Sequence, residues 1–446
     1  MSDAQITQSS QYTINPRGIT LVTKLGEINL AGMFQELTIF DSIFNPCMSG
    51  TVLIQDAVGL SNKLSFDGSE TLLINIGKTE NVAVIKKSFR IFKQSSRTSV
   101  SSGSEMYLLH FVSDEFILSQ QSSISKAYNN SYSEIVKDIL KNYLLLPDDK
   151  IFFIERTKGI RKIILPNQTP FWCLDFCSKR AVDFDLSPSF LFFENKLGYN
   201  FNTISRMISS FPTHFINYQP KNLGLENNER DELLGAKYVE VITQFDLNKN
   251  IKSGVYAGKF IGIDITSRKV YERNVSFAEM YATAKHANKT PNIGVFKNKA
   301  DIDNTQMFNS RRVMASTGIF GSESKYIKEN DPTSIDSDDD TYNYTIQREA
   351  SIMNLMNQRL KVVMPGNFNL ISGTTVYISL PTESEHATTD NSDNTDYSMS
   401  GKYLITATRQ IITYEKHETI MEVATDSTER PSVYKSSQQQ NDVVYT

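Results

Sequence analysis

Residues able to do chemistry are few and far apart in this sequence of 446 residues. Its five histidines are His110, His214, His286, His386 and His417, and none falls in a His-Glu-x-x-His helix that would hold zinc. No Gly-x-Ser-x-Gly elbow presents a serine nucleophile, and no glycine-rich loop of the Walker or Gly-x-Gly-x-x-Gly kind cradles phosphates. Cys173 and Cys177 stand four apart on one face of a predicted helix. A structural zinc needs four ligands, and there is no second pair; with Phe171, Trp172 and Phe176 beside them the two cysteines read as core packing. His110 sits inside a predicted strand and reads as a packed core or barrel-wall residue. The acid-rich stretches DSDDD (Asp336–Asp340) and DNSDNTD (Asp390–Asp396) lack the central Gly and terminal Glu of an EF-hand loop and read as solvated loops. A glycosidase needs two carboxylates at a set separation, but fifty acidic residues always allow such a pair on paper. The expectation is a protein with no catalytic, metal or cofactor site.

Bulk properties point the same way. Lys and Arg number 46 against 50 Asp and Glu, a net charge of −4. A protein that grips nucleic acid by its phosphates wants a basic surface, so binding DNA by attraction is disfavoured, while letting DNA pass without sticking is not. Three cysteines, an odd and sparse count, argue against a disulfide framework and fit synthesis in a reducing compartment. The start, MSDAQITQSSQYT, has neither the basic region nor the apolar core of a signal peptide. No stretch approaches the roughly 18 apolar residues of a membrane span, so a soluble, cytoplasmically synthesised chain without stable membrane binding is expected.

The elements are mostly strands. Residues 1–117 contain GITLVT, INLAGMFQELTIF, GTVLIQDA, TLLINIG, AVIKKSFRIFKQ and EMYLLHFVSDEF, rich in β-branched and aromatic residues and separated by Gly, Asn and Ser. Such a run without helices predicts a small antiparallel barrel or sandwich. Residues 118–235 change texture. SYSEIVKDILKNYLLL is an amphipathic helix with a Ser131–Glu134 capping box, and TPFWCLDFCSKRAV opens with Thr169 as N-cap and Pro170 at the first helical position. SFLFFENKLGYNF reads as a hairpin, so this is a middle α+β domain. Strands return at 236–272, break off into an insertion at 273–345 holding a helix and a mobile acidic loop, and resume at 346–427 after a helix, IQREASIMNLMNQRL. Residues 428–446 read as an extended tail.

One motif occurs twice. ELTIFDSIFNPCMSG (Glu36–Gly50) and VITQFDLNKNIKSG (Val241–Gly254) both run aliphatic–Thr–x–Phe–Asp, then a polar turn, then Ser-Gly. This sets Thr38, Phe40, Asp41 and Gly50 against Thr243, Phe245, Asp246 and Gly254, the glycines supplying a conformation other residues resist. Later strands follow in matching order: TLLINIG, AVIKKSFRIFKQ and EMYLLHFVSDE in the first half, TTVYISL, GKYLITATRQIIT and ETIMEVATDS in the second. The predicted fold is mainly β with α/β additions: two related antiparallel tube-like barrels, the second split by an insertion.

These residues carry a resemblance. FQELTIFDSIFNPCMSGTVLIQDAVGL resembles the opening barrel of baseplate hub proteins of T4-like contractile-tailed bacteriophages. SYSEIVKDILKNYL, IERTKGIRKIILPNQTPFWCLDFCSKRAV and SFLFFENKLGYNFNTI resemble the hub's middle domain; NLMNQRLKVVMPGNFNLISGTTVYISLP and SGKYLITATRQII resemble its second barrel. The matches run in family order over most of residues 17–427, with 289–345 and 382–399 weakly matched. The resemblance implies a homotrimer whose six barrels form a pseudo-six-fold ring. That ring would join the six-fold tail tube, or tube-initiator proteins, to a trimeric central spike in the baseplate of the virion. It would border the baseplate wedge and leave a channel for DNA and the tape-measure protein. Related contractile injection and type VI secretion machines offer a second reading. Many of their hubs carry a fused spike, for which the short tail after the second barrel leaves no room here, so a separate spike is expected. A baseplate cell-wall hydrolase is the third, and no compact α-rich segment with a credible carboxylate pair supports it.

Overall fold

The computed structural model describes residues 13–64, 66–79, 82–101, 103–218, 235–264, 268–294, 341–381 and 395–429, with the pieces 297, 303, 312–318 and 335–336. The first strands are β1 (Thr13–Thr23), β2 (Gly26–Asn29), β3 (Phe34–Ser42), β4 (Ser49–Asp56), β5 (Thr71–Thr79), β6 (Val82–Ser101) and β7 (Ser104–Ser113); a short helix α1 (Leu60–Lys63) follows β4, and α2 (Asp114–Gln121) follows β7. Their order is β3-β4-β7-β6-β5-β1-β2, every pair antiparallel. Period-two alternation sends Val52 and Ile54 inward from β4 while Leu53 and Gln55 stay at the surface. Ile19, Leu37, Val52, Leu72, Phe89 and Leu109, one from each of six strands, meet in a single buried cluster. For strands at opposite ends of the array to share a core, the array must curl around it.

The middle domain comprises β8 (Ile124–Asn130), α3 (Tyr132–Asn142), β9 (Ile151–Ile154), β10 (Ile160–Gln168), α4 (Pro170–Arg180), β11 (Phe190–Asn195), β12 (Gly198–Thr203) and α5 (Ile204–Ser209). Helix α3 lays Ile135, Val136, Ile139 and Leu140 against Cys173, Leu174 and Cys177 of α4. Thr169 is the N-cap residue of α4, with Pro170 first in the helix. The expected capping box on α3 does not form: the Ser131 hydroxyl meets Ser133 at 3.0 Å and Glu134 pairs with Lys137 at 2.7 Å. β11 and β12 make the expected hairpin, turning through Lys196 and Leu197.

The next strands are β13 (His214–Asn217) and β14 (Tyr238–Thr243). Then come α6 (Leu247–Ser253), β15 (Ala257–Asp264), β16 (Lys269–Ser276), α7 (Phe277–Thr283), β17 (Thr290–Pro291), β18 (Arg312–Gly318), β19 (Ile335–Asp336) and α8 (Thr341–Leu355). The chain returns with β20 (Gln358–Pro365), β21 (Thr375–Ser379), β22 (Gly401–Ile412), β23 (His417–Thr425) and β24 (Ser427–Thr428). A second array runs β14-β20-β23-β22-β21-β13, position for position the order β3-β4-β7-β6-β5-β1 of the first. It has its own core, with Leu360, Val362, Val376, Ile378, Tyr403, Ile405, Met421 and Val423. Two details differ. β13 runs parallel to β21, whereas β1 is antiparallel to β5, and β2 has no counterpart among the described residues.

Three boundaries shift from the sequence reading. β15 and β16 do not continue the second array but form a separate sheet with β18, so the insertion starts at α6 rather than at 273. β13, expected within the middle domain, belongs to the second array. Helix α8 stops at Leu355 instead of running through Leu360. Gln358, Leu360 and Val362 alternate inward, and the strand period overrides the helical one. The remainder of the acidic loop (337–340), residues 382–394 with His386, and the tail from 430 lie outside the described residues. Among the described residues no helix is long and apolar enough to cross a membrane.

Candidate functional site

The two arrays are joined edge to edge. β3 and β22 form an antiparallel ladder, Phe40 opposite Arg409 and Thr38 opposite Ile411, which fuses both arrays into one thirteen-stranded sheet. Asp41 is buried at this seam, accepting hydrogen bonds from the Thr408 hydroxyl and, at 3.3 Å, from the Ser372 amide. Burial pushes its carboxyl up to about 6, although both hydrogen bonds oppose the shift. The Arg409 guanidinium lies 5.6 Å from the centre of the Phe40 ring and 3.9 Å from Glu36. Phe368 and Ile412, from the second half of the chain, are buried in the core of the first array.

The middle domain clamps both sides of this seam. Glu194 on β11 receives the Lys87 ammonium at 2.6 Å, the Met48 amide at 2.8 Å and the Ser113 hydroxyl, all from the first array. Its neighbour Asn195 donates to the Ser372 carbonyl of the second array at 3.0 Å. A charge so buried is tolerable only when paired and hydrogen-bonded, and Glu194 is both. The insertion is stapled too. The Asn288 amide takes the Lys402 amide at 2.9 Å and donates to the Ser427 carbonyl at 2.8 Å, and His286 meets Asp426 at 2.7 Å while stacking on Tyr281.

The eight repeat residues do not occupy matching places. Thr38, Phe40 and Asp41 lie within β3, and Gly50 lies within β4 opposite Phe111. A Cβ on Gly50 would come within 2.3 Å of both the Phe111 ring and the Thr38 carbonyl, so glycine is required by close packing, not by its backbone angle. Thr243 ends β14, Phe245 is 72% exposed beyond it, and Asp246 is the N-cap of α6, accepting from the Lys249 amide at 2.8 Å. Gly254 ends that helix with φ +81°. Following ladders across the sheets, Phe111, Gly50 and Ile39 form one row; Val423, Leu360 and Val241 form its counterpart. Thr243 therefore takes the place of Phe40, two residues before the match by letters. The capping pattern of α6, Asp at its start and Gly past its end, was readable in the sequence.

The cysteines are buried and unpaired with one another; burial pushes the Cys47 thiol up to about 12 and Cys173 up to about 11, with Cys177 raised as well. The His110 ring meets the Ser95 hydroxyl at 2.7 Å on the sheet, and burial lowers His417 to about 4. Among the described residues no group of three His, Cys, Asp or Glu is placed to hold a metal ion.

No family model matches the chain and no curated protein sequence is significantly similar to it. Solved structures do match. A tail protein from Neisseria meningitidis MC58 shares 11% identity at a TM-score of 0.52, covering 92% of this chain and 96% of that one. The 43 kDa tail protein of prophage MuSo2 from Shewanella oneidensis shares 10% identity at 0.53, covering 92% and 99%. The type VI secretion component c3393 from E. coli is matched at 0.43 with 9% identity, over 90% of this chain and 76% of that one. At such identities the likeness is one of fold: this chain is built along nearly its whole length like the two tail proteins.

Proposed function

We propose that this chain is a structural hub subunit of a contractile phage tail. Three copies would arrange their six arrays as a pseudo-six-fold ring that meets the six-fold tail tube on one side and a trimeric central spike on the other. The observation that supports it is the tandem: one chain holds two arrays with the same strand order, already joined edge to edge. A chain that duplicates its ring element can present six-fold geometry from three copies, and symmetry dictates which interfaces close. The fold likeness to two tail proteins supports the same reading. The protein would be made in the host cytoplasm and end in the virion baseplate, beside the wedge. Its channel, neutral or acidic, would release DNA and the tape-measure protein without trapping phosphates. No catalysis is assigned.

Mass measurement of the purified protein, alone and with its spike, tests this. A trimer, or a trimer on addition of spike, is expected; a stable hexamer would overturn the reading. Peptidoglycan zymography should be blank, and a band lost on one Asp or Glu substitution would restore the hydrolase alternative.

A further inference from the structure

Helix α8 carries a guanidinium into an apolar cavity and gives it no counter-charge. The cavity, of about 330 Å³, is walled by four elements: the turn from β3 to β4 through Phe44, α4 through Phe171, β11 through Phe192 and α8 through Ile352. Small-ligand sites span roughly 300–1,000 Å³. Phe171 and Phe192 are buried, their ring centres 6.1 Å apart. Arg348 lines the same cavity and is only 9% exposed. Its Nη2 donates to the Phe190 carbonyl at 2.9 Å and its Nε to the Ser178 carbonyl at 3.4 Å. Both acceptors are neutral, and among the described residues no carboxylate pairs with the group. Asp175, on the wall of the cavity, is held by Lys179. Burial pulls the Arg348 pKa down, and the charges of Asp175 and Glu349 oppose that shift without cancelling it. A buried charge is stable when it is paired as well as hydrogen-bonded. The two carbonyls explain why an arginine ties α8 to the end of α4. They do not account for the space beside it or for the apolar walls.

We propose that this cavity binds a small amphiphilic anion, an aliphatic monocarboxylate of the fatty-acid type. Its head pairs with Arg348, and its chain lies among Phe44, Phe171, Phe192 and Ile352. The planar guanidinium keeps N–H groups beyond the two it gives to carbonyls, and a carboxylate matches their forked geometry. The apolar walls reward carbon: each methylene taken out of water strengthens binding about fourfold. Four elements of one chain surround the site, which suits a short molecule better than a peptide passing through. A bound carboxylate would fasten α8 to α4 and β11 at a further point, so the ligand should stabilise the fold. The proposal rests on the cavity and its arginine, not on the hub reading.

Calorimetric titration of the full chain with sodium octanoate, kept below its micelle concentration, tests it. One saturable site per chain is expected, with hexanoate roughly tenfold weaker and octylamine, of opposite charge, not bound. The melting temperature should rise with octanoate concentration. Arg348→Met removes the charge and should lower octanoate affinity by about tenfold or more. That variant also gives up two carbonyls, so a second one separates binding from folding. Phe44→Asp, at a wall position 43% exposed, should leave the melting temperature unchanged and weaken octanoate by a similar factor, because it sets a like charge against the ligand. Saturable binding that Phe44→Asp leaves intact would overturn the site. Equal affinity for octylamine would overturn the pairing with Arg348 and with it the proposal. Heat that never saturates, or no heat with octanoate, would overturn it too. A Phe-Phe-Glu peptide that binds where octanoate does not would overturn the small-molecule occupant in favour of a protein segment.

Discussion

The two arrays solve one topology under unequal conditions. In the first, β3 turns into β4 through Ile43–Met48; in the second, about 110 residues separate β14 from β20, yet the ladder between them is kept. Lengthening a loop that far costs about 2–3 kcal/mol of closure entropy, which the ladder of one short strand does not supply comfortably. The insertion lowers that cost by ordering itself. It has its own small core around Val255, Tyr256, Phe277 and Ile293, and Asn288 and His286 pin it to the ends of β22 and β23. The continuous copy needs no such excursion, whereas the split copy depends on the docking of its insertion. The strand that precedes this excursion, β14, is also the one left at the edge of the array, with Tyr238, Val241 and Ile242 exposed.

The comparison breaks hardest at Phe368. This ring comes from the second half of the chain but is buried in the core of the first array and packs 4.4 Å from the His417 ring. Phe368→Ala should destabilise the protein by about 4 kcal/mol and bring both arrays down in one transition. Two separated transitions in urea would show that the arrays fold independently. Phe245→Ala, the supposed twin position of Phe40, should change stability by less than about 0.5 kcal/mol because its ring is in water.

The glycines give the next largest contrast. Gly50→Ala places a methyl 2.3 Å from a backbone carbonyl and from the Phe111 ring, so a loss near about 3 kcal/mol is expected. Gly254→Ala meets the left-handed backbone penalty of a helix end, about 1 kcal/mol. Equal losses in denaturant midpoint would mean that the two Ser-Gly steps do the same job after all.

That contrast marks where sequence reading works. The inward alternation of Val52 and Ile54, the buried face of α3 and the packing of Cys173 and Cys177 are local patterns with a fixed period, and each predicts its own environment. The seam left no such trace. Leu37–Ser42 and Ala407–Ile412 pair through main-chain groups, which every residue carries, so no side-chain letter announces the partner. The repeat was legible as strand order but not as residue identity. An irregularity between Val241 and Thr243 adds a residue to β14, and the Phe-Asp that follows belongs to a helix cap. Two letters matched because strands and N-caps both favour what happened to be there.

The smallest net effect is the acid response of the seam, where two buried groups oppose each other. Asp41 titrates near 6 in the folded chain against 3.8 unfolded, so the folded state holds the extra proton. Its charge weakens the fold fully above about pH 6, and that penalty is relieved as pH falls toward 4. His417 titrates near 4 folded against 6.5 unfolded, burial being the cause; its contribution is complete above pH 6.5 and is lost as pH falls toward 4. Each amounts to about 3 kcal/mol, so the pair nearly cancels. Asp41→Asn removes the relief and should make stability fall more steeply between pH 6.5 and 4. His417→Gln should make stability rise over the same interval. Urea midpoints taken at half-unit steps, each variant referred to the parent protein, read the slopes directly. The groups common to all three proteins drop out, and slopes that change in the same direction would show that the seam does not hold Asp41 and His417 in the states assigned to them.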